Sequence, residues 1–259
     1  MSRELLLIGI GAGDPDWVTL EAVRAIDALD VLFVVLKEGD YDELVDARRA
    51  VVERHRDRPL RTVELRDPPR PWRTAPDYAA AVSRWRLQRL DQWGAAVASE
   101  LPDGGVGGFL VWGDPSLYES TLAIATELAA QASAASEPEL VLRVIPGISC
   151  VHALTARHRI PLNRQGRSVQ IAPARLFRDG LPGDVDDVVV MLDGRQTFAS
   201  IDPDGIDIYW AAYLGTPDEI LISGPLDEVR EQIVNARADA VARKGWMFDT
   251  YLLRRRLPN

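Results

Sequence analysis

Val111-Trp112-Gly113-Asp114-Pro115-Ser116-Leu117-Tyr118-Glu119-Ser120-Thr121 decides the fold. The apolar run 109–112, with Gly107 and Gly108 before it, reads as a buried strand, and 117–130 reads as a helix. A strand that ends in a glycine turn and feeds a helix is where an open α/β sheet binds a nucleotide-like ligand. The turn carries Asp114 where a phosphate loop has lysine, so it suits hydroxyl, amine or sulfonium groups and not a bare phosphate. The tripeptide recurs at Gly13-Asp14-Pro15, again just after a strand. A third turn, Ile145-Pro146-Gly147-Ile148-Ser149, follows the apolar run 140–145.

Working outward, 5–8, 31–36 and 62–65 read as strands, and 19–29, 42–56 and 77–101 as helices between them. Alternation of this kind predicts parallel pairing and an α/β class. In the second half, 141–145, 168–172, 188–192, 208–214, 220–223 and 248–253 read as strands, with helices only at 149–157, 196–201 and 226–243. That density predicts a mixed sheet with antiparallel neighbours. The expected architecture is therefore two α/β domains, 1–117 and 118–259, with the turns facing a shared cleft. Residues 132–138 read as a surface loop or helix end, and the Arg254-Arg255-Arg256 run as a solvated strand end.

Composition sets the outer bounds. The 259 residues are 47% hydrophobic and 27% charged, ordinary for a globular chain with a sizeable core. A net charge of −9 argues against a general nucleic-acid binder. Cys150 is the single cysteine, which excludes an internal disulfide and a cysteine-rich zinc site. The scattered histidines 55, 152 and 158 have no metal spacing, so no metal is expected. The first apolar run is too short for a signal sequence or a membrane span, and the expected location is the cytoplasm.

Gly9-Ile10-Gly11-Ala12-Gly13 invites a dinucleotide reading, with Glu38 as the ribose acid. Spacing decides against it, because Asp14 or Asp16 stands where the third glycine is needed. Two carboxylates there would also oppose a pyrophosphate.

Taken together, Leu7 to Asp16 with Val18-Thr19, the Gly113-Asp114-Pro115 segment with Tyr118, Ser120 and Thr121, and Ile145 to Ser149 followed by Ile160-Pro161-Leu162-Asn163-Arg164 resemble the tetrapyrrole (corrin and porphyrin) methyltransferase family. Val188 to Asp193, Ala212 to Thr216 and Trp246 to Arg255 complete the series in order, over nearly the whole chain. The segment Trp112 to Tyr118 and the tail Gly245 to Arg255 are most similar to the deacetylating members of the oxygen-dependent cobalamin route. The resemblance implies two α/β domains, S-adenosylmethionine as methyl donor in the cleft between them, S-adenosylhomocysteine as product, and a homodimer. It implies methylation of precorrin-5 at C-1 with loss of its acetyl group as acetate. Val35-Leu36-Lys37-Glu38 departs from the apolar and acidic character expected there, so no role is carried to Lys37.

The cofactor contacts implied are Ala12, Gly113, Asp114, Leu117, Ser149, Cys150, Leu192, Ala212 and Trp246. Gly113 permits close backbone approach, and Asp114 can accept from ribose hydroxyls or an ammonium. Leu117, Leu192 and Ala212 also fit plain core packing, and Ser149 fits a helix N-cap. Cys150 reads as a small buried side chain and not a nucleophile. Arg164, in a group with Arg157, Arg159 and Arg167, is the candidate for substrate carboxylates, with Asp16 as a second substrate contact. Acetate release needs a base or an oxyanion partner, for which Asp14, Asp16, Tyr118 and Tyr213 are candidates. Competing functions are a sister methyltransferase of another ring position or of diphthine, a dinucleotide-dependent oxidoreductase, and a non-catalytic binding protein.

Overall fold

Every strand of the first sheet runs parallel, as the alternation of strands and helices requires. The computed structural model describes residues 1–36, 42–69, 76–134, 139–177, 180–183 and 185–256. Lys37 and Glu38 lie outside the described residues, as do 135–138 of the expected 132–138 loop. The chain divides into two units, Met1–Gly11 with Pro15–Ile148, and Ala12–Asp14 with Ser149–Asn259.

The first unit is a sheet of order β3-β2-β4-β1-β5. Its strands are β1 (Arg3–Gly9), β2 (Val31–Leu36), β3 (Arg61–Arg66), β4 (Val106–Val111) and β5 (Leu140–Ile145). Helices α1 (Leu20–Ala28), α2 (Asp42–His55), α3 (Tyr78–Glu100) and α4 (Thr121–Ala134) connect them. Leu5 and Leu7 join Phe33, Trp93 and Phe109 in one core. Leu6 and Ile8 join Ala22 and Ile26 in another. Both faces of β1 are therefore covered, and its apolar run has no polar alternation for that reason. The winding reverses between β1 and β4, and the crevice at their carboxyl ends is the ligand position of such a sheet.

Two local readings change. Gly107 and Gly108 lie inside β4 and not before it. A Cβ on Gly107 would meet the Phe33 ring at 2.9 Å and one on Gly108 the Leu29 side chain at 2.7 Å, so both glycines admit packing. Helix α4 begins at Thr121 and not at Leu117. Tyr118 has φ 53°, which breaks the helical path, and the Glu119 carboxylate accepts from Thr121 N at 2.9 Å and Oγ1 at 2.7 Å to start the helix.

The second unit has a mixed sheet of order β6-β7-β10-β8-β9. It comprises β6 (Val169–Pro173), β7 (Asp187–Met191), β8 (Ile206–Ala212), β9 (Ile220–Pro225) and β10 (Asp249–Arg255). Only β6 and β7 pair in parallel. Helices α5 (Cys150–His158) and α6 (Leu226–Lys244) belong to it, and Leu226, Ile233 and Ala240 of α6 share a core with Val188, Val190, Trp210 and Tyr251. The expected helix at 196–201 shrinks to a single 3-10 turn, Thr197–Ala199. The units divide at Ile148, past the boundary expected at Leu117, because β5 joins the first sheet by pairing with β1. No helix among the described residues is long and apolar enough to cross a membrane.

Candidate active site

Glycine lets three strand ends of the first unit touch through their main chains. Gly11 and Gly113, at φ 78° and 68°, exchange hydrogen bonds of 3.2 and 2.7 Å. A Cβ on Gly9 would stand 2.6 Å from Gly147 N, and one on Gly147 would stand 2.1 Å from the Gly113 carbonyl oxygen. No side chain fits at these points, so the turns after β1, β4 and β5 close on one another as bare backbone.

Asp114 fastens that junction. Its Oδ2 accepts from Gly147 N at 2.9 Å, and its Oδ1 accepts from Ser116 N at 2.8 Å and from the Ser116 hydroxyl. The carboxylate thus ties the second turn to the third. Pro115 is buried and Leu117 half-buried beside it.

Backbone strain marks three further positions. Tyr118, Leu192 and Tyr213 have φ of 53°, 57° and 49°, in a region that non-glycine residues avoid. Leu192 and Tyr213 directly follow β7 and β8, whereas Tyr118 lies in the longer turn between β4 and α4. Such conformations cost on the order of 1–3 kcal/mol each and persist where surrounding structure enforces them, commonly at functional sites. Tyr118 is 47% and Leu192 61% exposed, although both are large and apolar.

Tyr213 is different. It is buried, its hydroxyl donates to the Trp246 carbonyl at 2.6 Å, and its ring meets the Trp246 ring edge-on at 5.0 Å. Burial pushes its phenol upward, with Lys244 opposing. Tyr213 is expected as a donor toward an acetyl oxygen, and in the structure its hydroxyl holds the Trp246 segment. Ala212 is fully buried at the end of β8, and Trp246 is half-buried.

In the first turn, Gly13 packs so tightly that an added Cβ would lie 2.2 Å from the Leu214 carbonyl oxygen. Ala12 is buried and Asp14 half-buried there. Asp16 pairs with Arg54 at 3.1 Å, both largely exposed, and His55 Nε2 lies 2.7 Å from the Pro15 carbonyl. Ser149 caps α5, accepting from His152 N, with its Oγ 2.9 Å from His152 Nδ1. Cys150 follows in the first turn, its thiol pushed up to about 11 by burial. The thiolate is the reactive form, so a raised value means less of it at any given pH. Iodoacetamide at pH 8 is expected to alkylate Cys150 roughly a hundredfold more slowly than an ordinary exposed thiol. The rate should climb as pH approaches 11; rapid alkylation at pH 8 would contradict the burial.

Arg164 is engaged within its own unit. Its guanidinium lies 3.1 Å from Asp187 Oδ1 and donates to Asp187 Oδ2 and the Arg255 carbonyl. Asp187 is fully buried and also takes Arg254 at 2.9 Å, while Arg254 donates to the carbonyls of Pro161 and Leu162. Arg164, expected as a substrate contact, here clamps the Pro161–Asn163 turn to β10. The strand-end arginines are corrected, since Arg254 is buried and Arg255 donates to Val185 and Pro182 carbonyls. Of the other arginines grouped with Arg164, Arg157 pairs with Glu219 and Arg167 with Asp186. Arg164→Ala should destabilise the fold by about 3 kcal/mol, since Asp187 stays buried with one partner gone. Denaturant melting checks this; an unchanged midpoint with a raised tetrapyrrole KM would restore the substrate role.

Sequence reasoning missed Asp193. It is 4% exposed and accepts from Arg195 N, from Thr197 N and Oγ1, and from the Tyr251 hydroxyl. The available signal was an aspartate directly after an apolar strand, the same pattern that singled out Asp114.

Comparison with known proteins decides the assignment. The family model for tetrapyrrole (corrin/porphyrin) methylases matches residues 4–230. The chain belongs to that family. This tetrapyrrole methylase is 42% identical over 255 residues to the precorrin-6A synthase (deacetylating) of a Sinorhizobium species, covering 98% of the chain and 95% of the relative. It is similar to the crystal structure of a cobalamin synthesis related protein (CobF) from Corynebacterium diphtheriae, with TM-score 0.82, 30% identity, and coverage of 98% and 99%. It shares its fold with uroporphyrin-III C-methyltransferase from Thermus thermophilus, solved with S-adenosylhomocysteine, at TM-score 0.57, 18% identity, and coverage of 97% and 92%. By family the chain is a methyltransferase with two α/β units.

Proposed function

We propose that this tetrapyrrole methylase converts precorrin-5 to precorrin-6A, methylating C-1 with S-adenosylmethionine and releasing acetate, as a cytoplasmic homodimer. The observation that carries the reading is the 42% identity to a deacetylating precorrin-6A synthase over 98% of the chain. The local geometry supports it. The glycine-only junction leaves main-chain groups at the strand ends, where a nucleoside can approach without a side chain in the way.

Gly113, Asp114, Leu117, Ala12, Ser149, Cys150, Leu192, Ala212 and Trp246 are the residues we assign to the donor. Bound S-adenosylmethionine supplies a methyl group on a sulfonium, already an excellent leaving group. The protein's task is then alignment, which can be worth on the order of 7–11 kcal/mol. The electron-rich ring carbon needs no strong base, in keeping with assigned contacts in which Asp114 is the one charged side chain.

Acetate release differs. Water adds to the acetyl carbonyl, the bond from that carbon to the macrocycle breaks, and its electron pair passes to the ring. Negative charge builds on the acetyl oxygen, so a positioned donor accelerates the step. Tyr118, exposed and held in the left-handed region, is the residue we assign to it. Asp14 and Asp16 are candidates for accepting the water proton, although Asp16 already pairs with Arg54.

Turnover of precorrin-5 tests the reading by counting S-adenosylhomocysteine against free acetate. Equimolar release is expected. Methyl transfer without acetate would point to a sister precorrin methyltransferase.

A further inference from the structure

Leu192 is held in an unfavourable conformation while its side chain faces solvent. It is 61% exposed at φ 57°, directly after β7, whose own residues are buried. A leucine gains nothing from either condition, so its neighbours must impose them. The next residue shows how. Asp193 Oδ1 accepts from Arg195 N at 3.1 Å and Thr197 Oγ1 at 3.0 Å. Its Oδ2 accepts from Thr197 N at 2.6 Å and the Tyr251 hydroxyl at 2.7 Å. Arg237 of α6 donates to the Asp193 carbonyl at 2.9 Å while pairing with Asp249.

Both oxygens of one buried carboxylate are thus committed, and the donors come from the turn itself and from β10. Tyr251 is fully buried and its phenol is driven upward by burial and by Asp193, so it remains a donor at every working pH. A polar group buried at this depth must be satisfied, and each donor lost leaves the carboxylate to reorient. Reorientation would release the Leu192 turn toward an ordinary conformation.

We infer that Tyr251, Thr197 and Arg237 are positioning residues that act through Asp193 to present the Leu192 turn to the methyl donor. This rests on the functional reading above and extends it to three residues that lie behind the turn. The network sets affinity for the donor, and leaves the tetrapyrrole's binding and the chemistry alone.

The test is Tyr251→Phe in the full-length protein, with Thr197→Val as a second variant that keeps the backbone donor. Titration with S-adenosylhomocysteine should show affinity about tenfold weaker for Tyr251→Phe. The KM for S-adenosylmethionine should rise by a similar factor, with kcat and the precorrin-5 KM unchanged. Hydrogen exchange of the Arg195 and Thr197 amides in the ligand-free protein should quicken, while the β7 and β10 amides keep their protection. Ile222→Ala, a core truncation on β9, should lower stability without moving any of these readouts. Wild-type affinity in folded Tyr251→Phe or Thr197→Val, or an equal loss of affinity in Ile222→Ala, would overturn the inference. A wild-type protein that binds no S-adenosylhomocysteine would instead overturn the functional reading, and the inference with it.

Discussion

Gly147→Ala is expected to lose S-adenosylhomocysteine binding by about a hundredfold or more. The added Cβ would stand 2.1 Å from the Gly113 carbonyl oxygen and 2.8 Å from the Gly9 carbonyl carbon, both backbone atoms that cannot rotate away. One of the three strand ends must shift, and the Gly11–Gly113 hydrogen bonds and the Asp114 tether shift with it. A hundredfold loss is about 2.7 kcal/mol, within what overpacking against main chain costs. Calorimetric titration measures it directly. Gly113→Val should act in the same direction, since valine is poorly suited to φ 68°. Asp114→Ala removes the Gly147 N–H acceptor without a clash, so a smaller loss of about 1–3 kcal/mol is expected with the fold retained. Unaltered affinity in Gly147→Ala would show that the donor does not depend on this junction.

Tyr118→Phe should separate the two half-reactions. The change keeps the ring and deletes one hydroxyl, so positioning of the methyl donor is preserved. Loss of one donor to a developing oxyanion typically costs about 10²–10³ in rate. Acetate release should slow by that factor while methyl transfer slows little, and a methylated, still-acetylated product should accumulate if methylation comes first. Rapid-quench sampling of S-adenosylhomocysteine and acetate from one reaction reads both rates. Equal slowing of the two, or none, would leave Tyr118 as a packing residue.

Much of this was legible in the sequence because strand and helix periods are local. The order of elements, the parallel first sheet and the mixed second one follow from where apolar runs alternate with helical spacing. The three glycine turns were legible because glycine and proline punctuate strand ends. What stayed hidden depends on partners distant in sequence. Arg164 reads as a surface cation until folding places it on Asp187, and Arg254 reads as solvated until it reaches the same carboxylate. Tyr213 reads as a donor to substrate, and only folding shows its hydroxyl donating to the Trp246 carbonyl. The units divide later than the sequence suggests because a strand–helix–strand crossover does not say which sheet its last strand joins, and β5 returns to β1. Tyr118 hid the true start of α4, since nothing in a tyrosine announces a left-handed backbone.

The most direct measurement is mass spectrometry and carbon NMR of the product made from precorrin-5 and S-adenosylmethionine carrying a labelled methyl group. One labelled methyl at C-1, the acetyl group absent from the macrocycle and labelled carbon absent from the released acetate are the expected result. A label at another ring carbon with the acetyl group retained, or no label at all, would contradict it.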